Sequence, residues 1–210
     1  MLCPDKLTTA QWLEVIEAAH NAGLRTTATI MFGHIEGPEH WARHLLAIRR
    51  LQARTRGFTE FVPLPFVHME APIYFKGRAR KGPTFREAVL MHAVARLALH
   101  PVLTNIQVSW VKMGLEGAST CLMSGVNDLG GTLMNESISR AAGTRHGQEL
   151  PPARIEELIR SAGRVPQQRT TLYGLVADDR RRASYAAPLL APVVLTPAAR
   201  RARTALEPAH

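Results

Sequence analysis

Cysteine is nearly missing from this chain: Cys3 and Cys121 are the only two in 210 residues, and no C-x-x-C pair occurs. That excludes a disulfide framework and a metal or cluster site built on this chain's own thiols, and it fits a reducing, cytoplasmic compartment. Long apolar runs are missing too. The opening Met1-Leu2-Cys3-Pro4-Asp5-Lys6 has no apolar segment behind it, and the longest apolar tract, Tyr185 to Leu195, is interrupted by Pro188 and Pro192. We therefore expect neither a secretion signal nor a membrane span. Aromatics are 6% of the residues and form no RNA-binding motif; with no zinc finger either, nucleic acid is not an expected partner. Acidic residues are outnumbered, 17 against 26 Lys and Arg, for a formal charge of +9. That balance permits contact with anions without requiring it.

What is present is enough for one domain. Apolar residues make up 46%, with 15 Gly and 14 Pro, which excludes collagen, coiled coil and wholesale disorder. Thr8 and Gln11 form a capping box, Leu7 can staple onto Trp12, and Trp12, Val15, Ile16 and Ala19 share a helical face that ends at Gly23. The β-branched run Thr26 to Phe32 reads as a strand buried on both faces. The same pattern repeats. A helix from Pro38 carries Trp41, Leu45, Ile48 and Leu51 and stops near Gly57, before a strand Thr59 to Phe66. A helix capped by Thr84 and Glu87 carries Val89, Leu90, Ala93, Val94 and Leu97 on its apolar face and ends before Pro101. A strand Asn105 to Val111, a short helix around Ala118 to Met123 and a strand from about Val126 to Leu133 complete the series.

Four alternations of helix and strand predict an α/β fold of parallel units. A complete parallel barrel takes about 250 residues, so the expectation is the C-terminal half of a (β/α)8 barrel over 1–135. A separate extension spans 136–177, with a helix from about Pro152 to Ala162 and a short strand at Thr170 to Val176. The Arg- and Pro-rich stretch 178–210 is expected to be a mobile tail.

In such folds reactive groups collect just after the strands. Those positions hold Gly33-His34-Ile35-Glu36, Val67-His68-Met69-Glu70, Lys112-Met113-Gly114, Asn127-Asp128-Leu129-Gly130-Gly131-Thr132 and Asn135-Glu136. Two other patterns imitate sites. His40 and His44 have the i, i+4 spacing of a metal pair but lack a third ligand, so they read as a solvated helix face. Gly77 to Thr84 imitates a phosphate loop but places Pro83 where the lysine must stand. Its neighbours Lys76, Arg78, Arg80, Lys81 and Arg86 read as a solvated basic loop that could also clamp an anionic or polyhydroxylated ligand.

Four stretches carry a resemblance: Thr26 to Glu36, Phe61 to Pro72, Lys76 to Arg96 and Gly125 to Gly143. Together they resemble the C-terminal part of FO synthase, the radical S-adenosylmethionine enzyme that makes the deazaflavin FO, either its second subunit or the second half of the fused form. The G-H-x-E turn is shared with menaquinone-pathway enzymes acting on futalosine derivatives, whereas the basic loop and N-D-L-G-G-T-L-M-N-E point to the deazaflavin branch. The resemblance implies a TIM-type barrel with a 4Fe-4S cluster on a C-x-x-x-C-x-x-C motif. It implies cleavage of S-adenosylmethionine to a radical that fragments tyrosine, and transfer of the hydroxybenzyl group to 5-amino-6-(D-ribitylamino)uracil. It assigns Gly33, His34, Glu36, Pro63, Leu64 and Pro65 to the cofactor, and His68, Glu70, Asn127, Asp128, Thr132, Asn135 and Glu136 to substrate. Met31 and Thr29 depart from the family's G-x-I-x-G-x-x-E pattern on the strand. No cluster ligands are expected in this chain, so the radical-generating N-terminal half or a partner subunit must supply them. The alternatives are a fragment of a menaquinone-pathway enzyme and a non-catalytic half-barrel that binds a partner.

Overall fold

The computed structural model describes residues 5–133 and 135–190. Helix α1 (Thr9–Asn21) begins at the expected capping box, with the Gln11 N–H donating to Thr8 Oγ1 at 3.3 Å and the Thr8 N–H to Gln11 Oε1 at 2.9 Å. Strand β1 (Thr26–Phe32), helix α2 (Pro38–Thr55) and strand β2 (Phe58–Pro65) follow, with Pro38 opening α2 and Arg56 closing it in the left-handed region. The two strands are parallel. Ala28 lies opposite Phe61 and Met31 opposite Leu64, after a register shift between Thr26 and Ala28.

After the short helix α3 (Pro72–Phe75), helix α4 (Phe85–Leu99) starts at its own capping box on Thr84 and Glu87. Its buried face differs from the expected one. Ala88, Met91, His92, Ala95 and Leu99 are buried, whereas Leu90, Val94 and Leu97 are exposed. Both stripes are apolar, so periodicity alone could not choose between them. With this rotation the Arg96 side chain donates to the carbonyls of Gly125 at 2.6 Å and Thr104 at 2.5 Å.

The expected third and fourth strands are much shorter than predicted. They reduce to parallel bridges of Ile106 with Phe61 and of Asp128 with Gln107. Hydrogen bonds still run across all three neighbours: Gln107 N–H to the Phe61 carbonyl at 3.0 Å, and Val108 N–H to the Asp128 carbonyl at 2.9 Å. Helix α5 (Trp110–Met123) begins directly after Ser109, which takes Trp110 and Val111 out of the strand, and it breaks at Gly114, whose φ is 68°. Gly130 and Gly131, both at positive φ, turn the chain away after Asp128. The fold is therefore α/β around a two-stranded parallel sheet, with a third parallel segment at Ile106 beside β2 and a fourth at Asp128 beside the third.

Phe32, Ile48, Leu51, Phe61, Leu99, Ile106, Val108, Trp110 and Val126 form the heart of the core. Thr27, Thr29 and Met31 alternate with buried Ala28 and Phe32 along β1 and are exposed. Helix α6 (Ile138–Ala141) is short, and α7 (Pro152–Ser161) lies where the sequence predicted a helix. The predicted strand at Thr170 to Val176 is instead a tight hairpin with one antiparallel bridge, Arg169 to Leu175. Asp178–Ala186, read from sequence as tail, is helix α8; two aspartates in its first turn suit the positive helix end. The rest of that expected tail, 191–210, lies outside the described residues, as do Cys3 and Met134. Among the described residues no helix is long and apolar enough to cross a membrane.

Candidate functional site

The turn after β1 is organised by one carboxylate. Glu36 accepts from the N–H groups of Gly33, His34 at 3.1 Å and Ile35 at 3.0 Å, and from the Trp41 indole at 2.8 Å. Burial opposes its ionisation, but these donors hold its carboxyl below the ordinary range. His34 places Nδ1 2.8 Å from Glu36 and its ring edge-on to Phe66. Gly33 has φ 91°, and a side chain there would meet Pro83 at 2.2 Å. The missing Cβ thus lets the basic loop close over the strand ends. Arg80 belongs to that closure, donating its N–H to the His34 carbonyl at 2.9 Å and its guanidinium to Glu87 at 2.9 Å. Pro63 and Pro65 are buried, so Leu64, in register with Met31, is the part of that strand end left partly open.

His68 stacks its ring edge on Tyr74, 4.7 Å between centroids, and the Glu70 N–H donates to the Ala142 carbonyl at 3.2 Å. That contact joins the loop after β2 to the 136–147 segment. Gly143, at φ 108°, makes room for Met69, which a Cβ would approach to 2.6 Å. Asn135 Oδ1 accepts from Gln148 Nε2 at 2.8 Å, and Glu136 Oε1 accepts from the Ser139 N–H at 2.9 Å. The other carboxylate oxygen of Glu136 is buried with no partner among the described residues.

Nearer the amino ends of the parallel segments lies a second polar group. Asn127 braces its neighbours, its Oδ1 accepting from Arg96 at 2.8 Å and from the Ile106 N–H at 2.9 Å. Asp128 Oδ1 accepts from the Gly130 N–H at 2.7 Å, and its Oδ2 from Arg169 Nε and the Tyr173 hydroxyl, each at 2.5 Å. Arg169 also reaches Glu60 at 3.1 Å, Tyr173 hydrogen-bonds the same carboxylate, and Thr27 donates to its other oxygen at 2.9 Å. The guanidinium lies 4.0 Å over the Tyr173 ring. Burial disfavours the Arg169 charge, yet the Asp128 contact raises its pKa; burial and the two carboxylates push the Tyr173 phenol up as well. Asn127, Asp128 and Thr132 also border a cavity of about 1230 Å³ between this segment and the C-terminal helices, shared with Ile159, Arg169 and Tyr173.

The predicted residues thus fall into two groups. Gly33, His34, Glu36 and Leu64 cluster with the loop holding His68 and Glu70 at the carboxyl ends of the strands, and the chain holding Asn135 and Glu136 joins that loop through Ala142. Asn127, Asp128 and Thr132 lie along the cavity. Sequence reasoning missed Glu60, Arg169 and Tyr173. A lone carboxylate inside the apolar run Phe58–Pro65 was a usable signal for Glu60; the hairpin residues carried none. Among the described residues no three His, Cys, Asp or Glu side chains are grouped to hold a metal ion. Cys121 is the one free cysteine among the described residues; it is buried, and burial pushes its thiol up to about 12. The residues described do not fit an iron–sulfur cluster.

Residues 55–181 match the family model described as the CofH/MqnC C-terminal region. The chain belongs to this family. The match takes in Glu60, Asp128, Arg169 and Tyr173 together, so the hairpin and the two parallel segments that carry Glu60 and Asp128 fall inside it, while β1 precedes it. An FO synthase of Streptomyces coelicolor is 51% identical over 184 residues, 88% of this chain but 21% of that protein. Two proteins named 5-amino-6-(D-ribitylamino)uracil–L-tyrosine 4-hydroxyphenyl transferase are similar. That of Methanothermobacter thermautotrophicus is 49% identical over 85% of this chain and 48% of its own length. That of Methanopyrus kandleri is 54% identical over 82% of this chain and 47% of its own length. The chain therefore spans about a fifth of the FO synthase and about half of the transferases.

Proposed function

We propose that this chain is the C-terminal part of a cytoplasmic radical S-adenosylmethionine enzyme of deazaflavin biosynthesis. In this reading its parallel segments are the last four strands of a (β/α)8 barrel. The domain 1–135 is that half-barrel, and 136–177 is an extension packed on it. The observation that carries the reading is identity near 50% to FO synthases and aminouracil–tyrosine transferases over more than four-fifths of the chain. The complete enzyme joins a tyrosine-derived hydroxybenzyl group to 5-amino-6-(D-ribitylamino)uracil. The cluster and S-adenosylmethionine supply the radical chemistry when present, and the cluster's ligands come from the N-terminal half or a partner subunit, which pairs with the exposed β1 edge and covers Thr27, Thr29 and Met31.

This chain's part is to bind and orient. The braced turn Gly33-His34-Ile35-Glu36 with Pro63-Leu64-Pro65 forms the side facing S-adenosylmethionine, Leu64 and Met31 offering apolar contact for adenine. His68, Glu70, Asn135 and Glu136 face substrate at the carboxyl ends. Asn127, Asp128 and Thr132 border a cavity of mixed lining, where a ribityl chain or a uracil edge would meet Thr132 and would have to share Asn127 and Asp128 with Arg96 and Arg169. The test is anaerobic reconstitution with the radical-generating half of a transferase. Deoxyadenosine release and formation of the hydroxybenzyl adduct, both dependent on this chain, are expected. A reconstituted pair that cleaves S-adenosylmethionine yet yields no adduct from tyrosine and the aminouracil overturns the proposal. Conversion of a futalosine derivative instead would assign the chain to the menaquinone branch that the family description also names.

A further inference from the structure

Helix α4 is apolar on both sides. Its inner face is buried on the core, while Leu90, Val94 and Leu97 stand outward with 48%, 48% and 79% of their surface exposed. The only Lys, Arg, Asp or Glu between Glu87 and His100 is Arg96, whose guanidinium is turned away to the Gly125 and Thr104 carbonyls and to Asn127. The outer stripe is therefore uncharged over about three turns, in a chain of formal charge +9. A helix that is hydrophobic all round belongs in an interior, so the stripe calls for a cover. The neighbours of α4 narrow what can supply it. Helix α4 packs on α2, α5 and β2, and the order of the parallel segments puts it between the two helices. A segment that extends the layer at the β1 edge, or beyond the Asp128 segment, joins beside α1 or α5 and leaves the outer face of α4 bare. The cover has to come from outside the layer.

The spacing of the stripe identifies the occupant. Three residues on from Leu90 is Ala93, and three residues back from Leu97 is Val94. The stripe thus reads the same in both directions, as a two-fold contact requires, where one patch must complement itself. Ala93 at its centre is small enough for two helix axes to approach to the ordinary packing distance of about 8–10 Å. We propose that α4 pairs with α4 of a second copy of this chain. The two helices run antiparallel about a two-fold axis at Ala93 and Val94, with Leu90 of each copy against Leu97 of the other. Leu90, Val94 and Leu97 together offer roughly 300 Å² of apolar surface per copy, below the ~800 Å² that each partner gives to a standard interface. The dimer is therefore weak and reversible, with a Kd on the order of 10–100 μM.

Sedimentation equilibrium of the 210-residue chain from about 5 to about 200 μM, a range that brackets this Kd, tests the proposal. A monomer–dimer equilibrium is expected. Leu97→Glu should weaken it at least about tenfold by placing a carboxylate in the contact; because Leu97 is exposed in the single copy, the variant's circular dichroism and Tm should stay at the parental values. Val165→Glu, at another exposed apolar position, should leave the Kd within about twofold. Independently, Val94→Cys in a Cys3→Ser background should give a disulfide-linked pair on mild oxidation, since the two-fold axis brings both copies of that position together. Arg50→Cys, exposed on α2, should not. A chain that stays monomeric throughout the range overturns the proposal. So does association that continues past the dimer, a dimer that Leu97→Glu leaves intact, or one broken instead by Met31→Lys at the β1 edge.

Discussion

The two ends of the parallel layer treat their polar groups in opposite ways. Toward the amino ends, the carboxylates of Glu60 and Asp128 are met by Arg169, Tyr173, Thr27 and the Gly130 N–H, and Asn127 is held by Arg96. Beyond the carboxyl ends, Glu136 and Arg140 keep buried atoms without partners among the described residues. The Glu36 turn shows that full satisfaction is possible at that end as well. A saturated cluster holds the chain together, whereas buried polar atoms left without partners cost stability.

Breaking the saturated end should have the largest effect. Arg169→Met leaves Glu60 and Asp128 facing each other without their cation. Removing one partner of a buried pair costs about 3–5 kcal/mol; because Arg169 is 26% exposed, we expect the lower end. A fall in Tm of about 6–12 °C follows. The double variant Glu60→Gln, Asp128→Asn in that background should recover part of it, and thermal melts of the set check both. No loss in Arg169→Met would mean that the hairpin is not what closes this end. The next effect belongs to the turn after β1. Glu36→Ala removes the acceptor of the Trp41 indole and of three backbone N–H groups, a loss of about 2 kcal/mol at partly buried donors. A Tm lowered by about 4–8 °C is expected, with Glu36→Gln in between.

Much of the satisfied framework was legible in sequence because it is local. The capping boxes at Thr8 and Thr84, Pro38 at a helix start, and the Gly33-His34-Ile35-Glu36 turn involve partners within five residues, and pattern reading finds such spacing. What failed was long-range. Arg169 and Tyr173 stand more than 100 residues from Glu60, so no spacing announces them. Leu90, Val94 and Leu97 look as core-like as Ala88, Met91 and Ala95, and the choice between the two faces is made by long-range contacts of α4, those of Arg96 with Gly125 and Thr104 among them. The third and fourth strands were overextended because Val108 to Val111 and Val126 to Leu133 are apolar enough for strands, while the start of α5 and the paired glycines cut them short. Position after a strand brings Asp128 and Glu136 forward alike; it does not show that Arg169 meets the first while Glu136 Oε2 has no partner among the described residues.

Acid should act on neither end first. Burial lowers the pKa of His20, together with Arg25, and of His44 and His92, each below the ordinary 6.5. Below 6.5 the unfolded chain therefore holds more protons than the native one. Stability fully present above that value falls as pH drops beneath it. Melts at about pH 7.5 and about pH 5.5 should differ by at least about 3 °C. The Glu36 carboxyl, held below its ordinary range, keeps its contacts through that interval and loses them only at lower pH. His92→Asn narrows the difference if the histidines carry it; an unchanged difference in that variant and in His44→Gln assigns it elsewhere.

The smallest effect is the most informative for the contrast between the two ends. Lys112 has no partner among the described residues and is partly buried, so its charge contributes desolvation cost without an ion pair to offset it. Replacing such a group with an apolar side chain of similar length is neutral or stabilising. Lys112→Met should leave the Tm of the ligand-free chain within about 1 °C of the parent or raise it, while Arg169→Met, also a loss of one positive charge, lowers it by several degrees. The same substitution at the two ends then separates a cation that holds the fold from one that does not. A drop on Lys112→Met comparable to that of Arg169→Met would show Lys112 to be a structural partner of Glu136, and the open end of the layer would be closed after all.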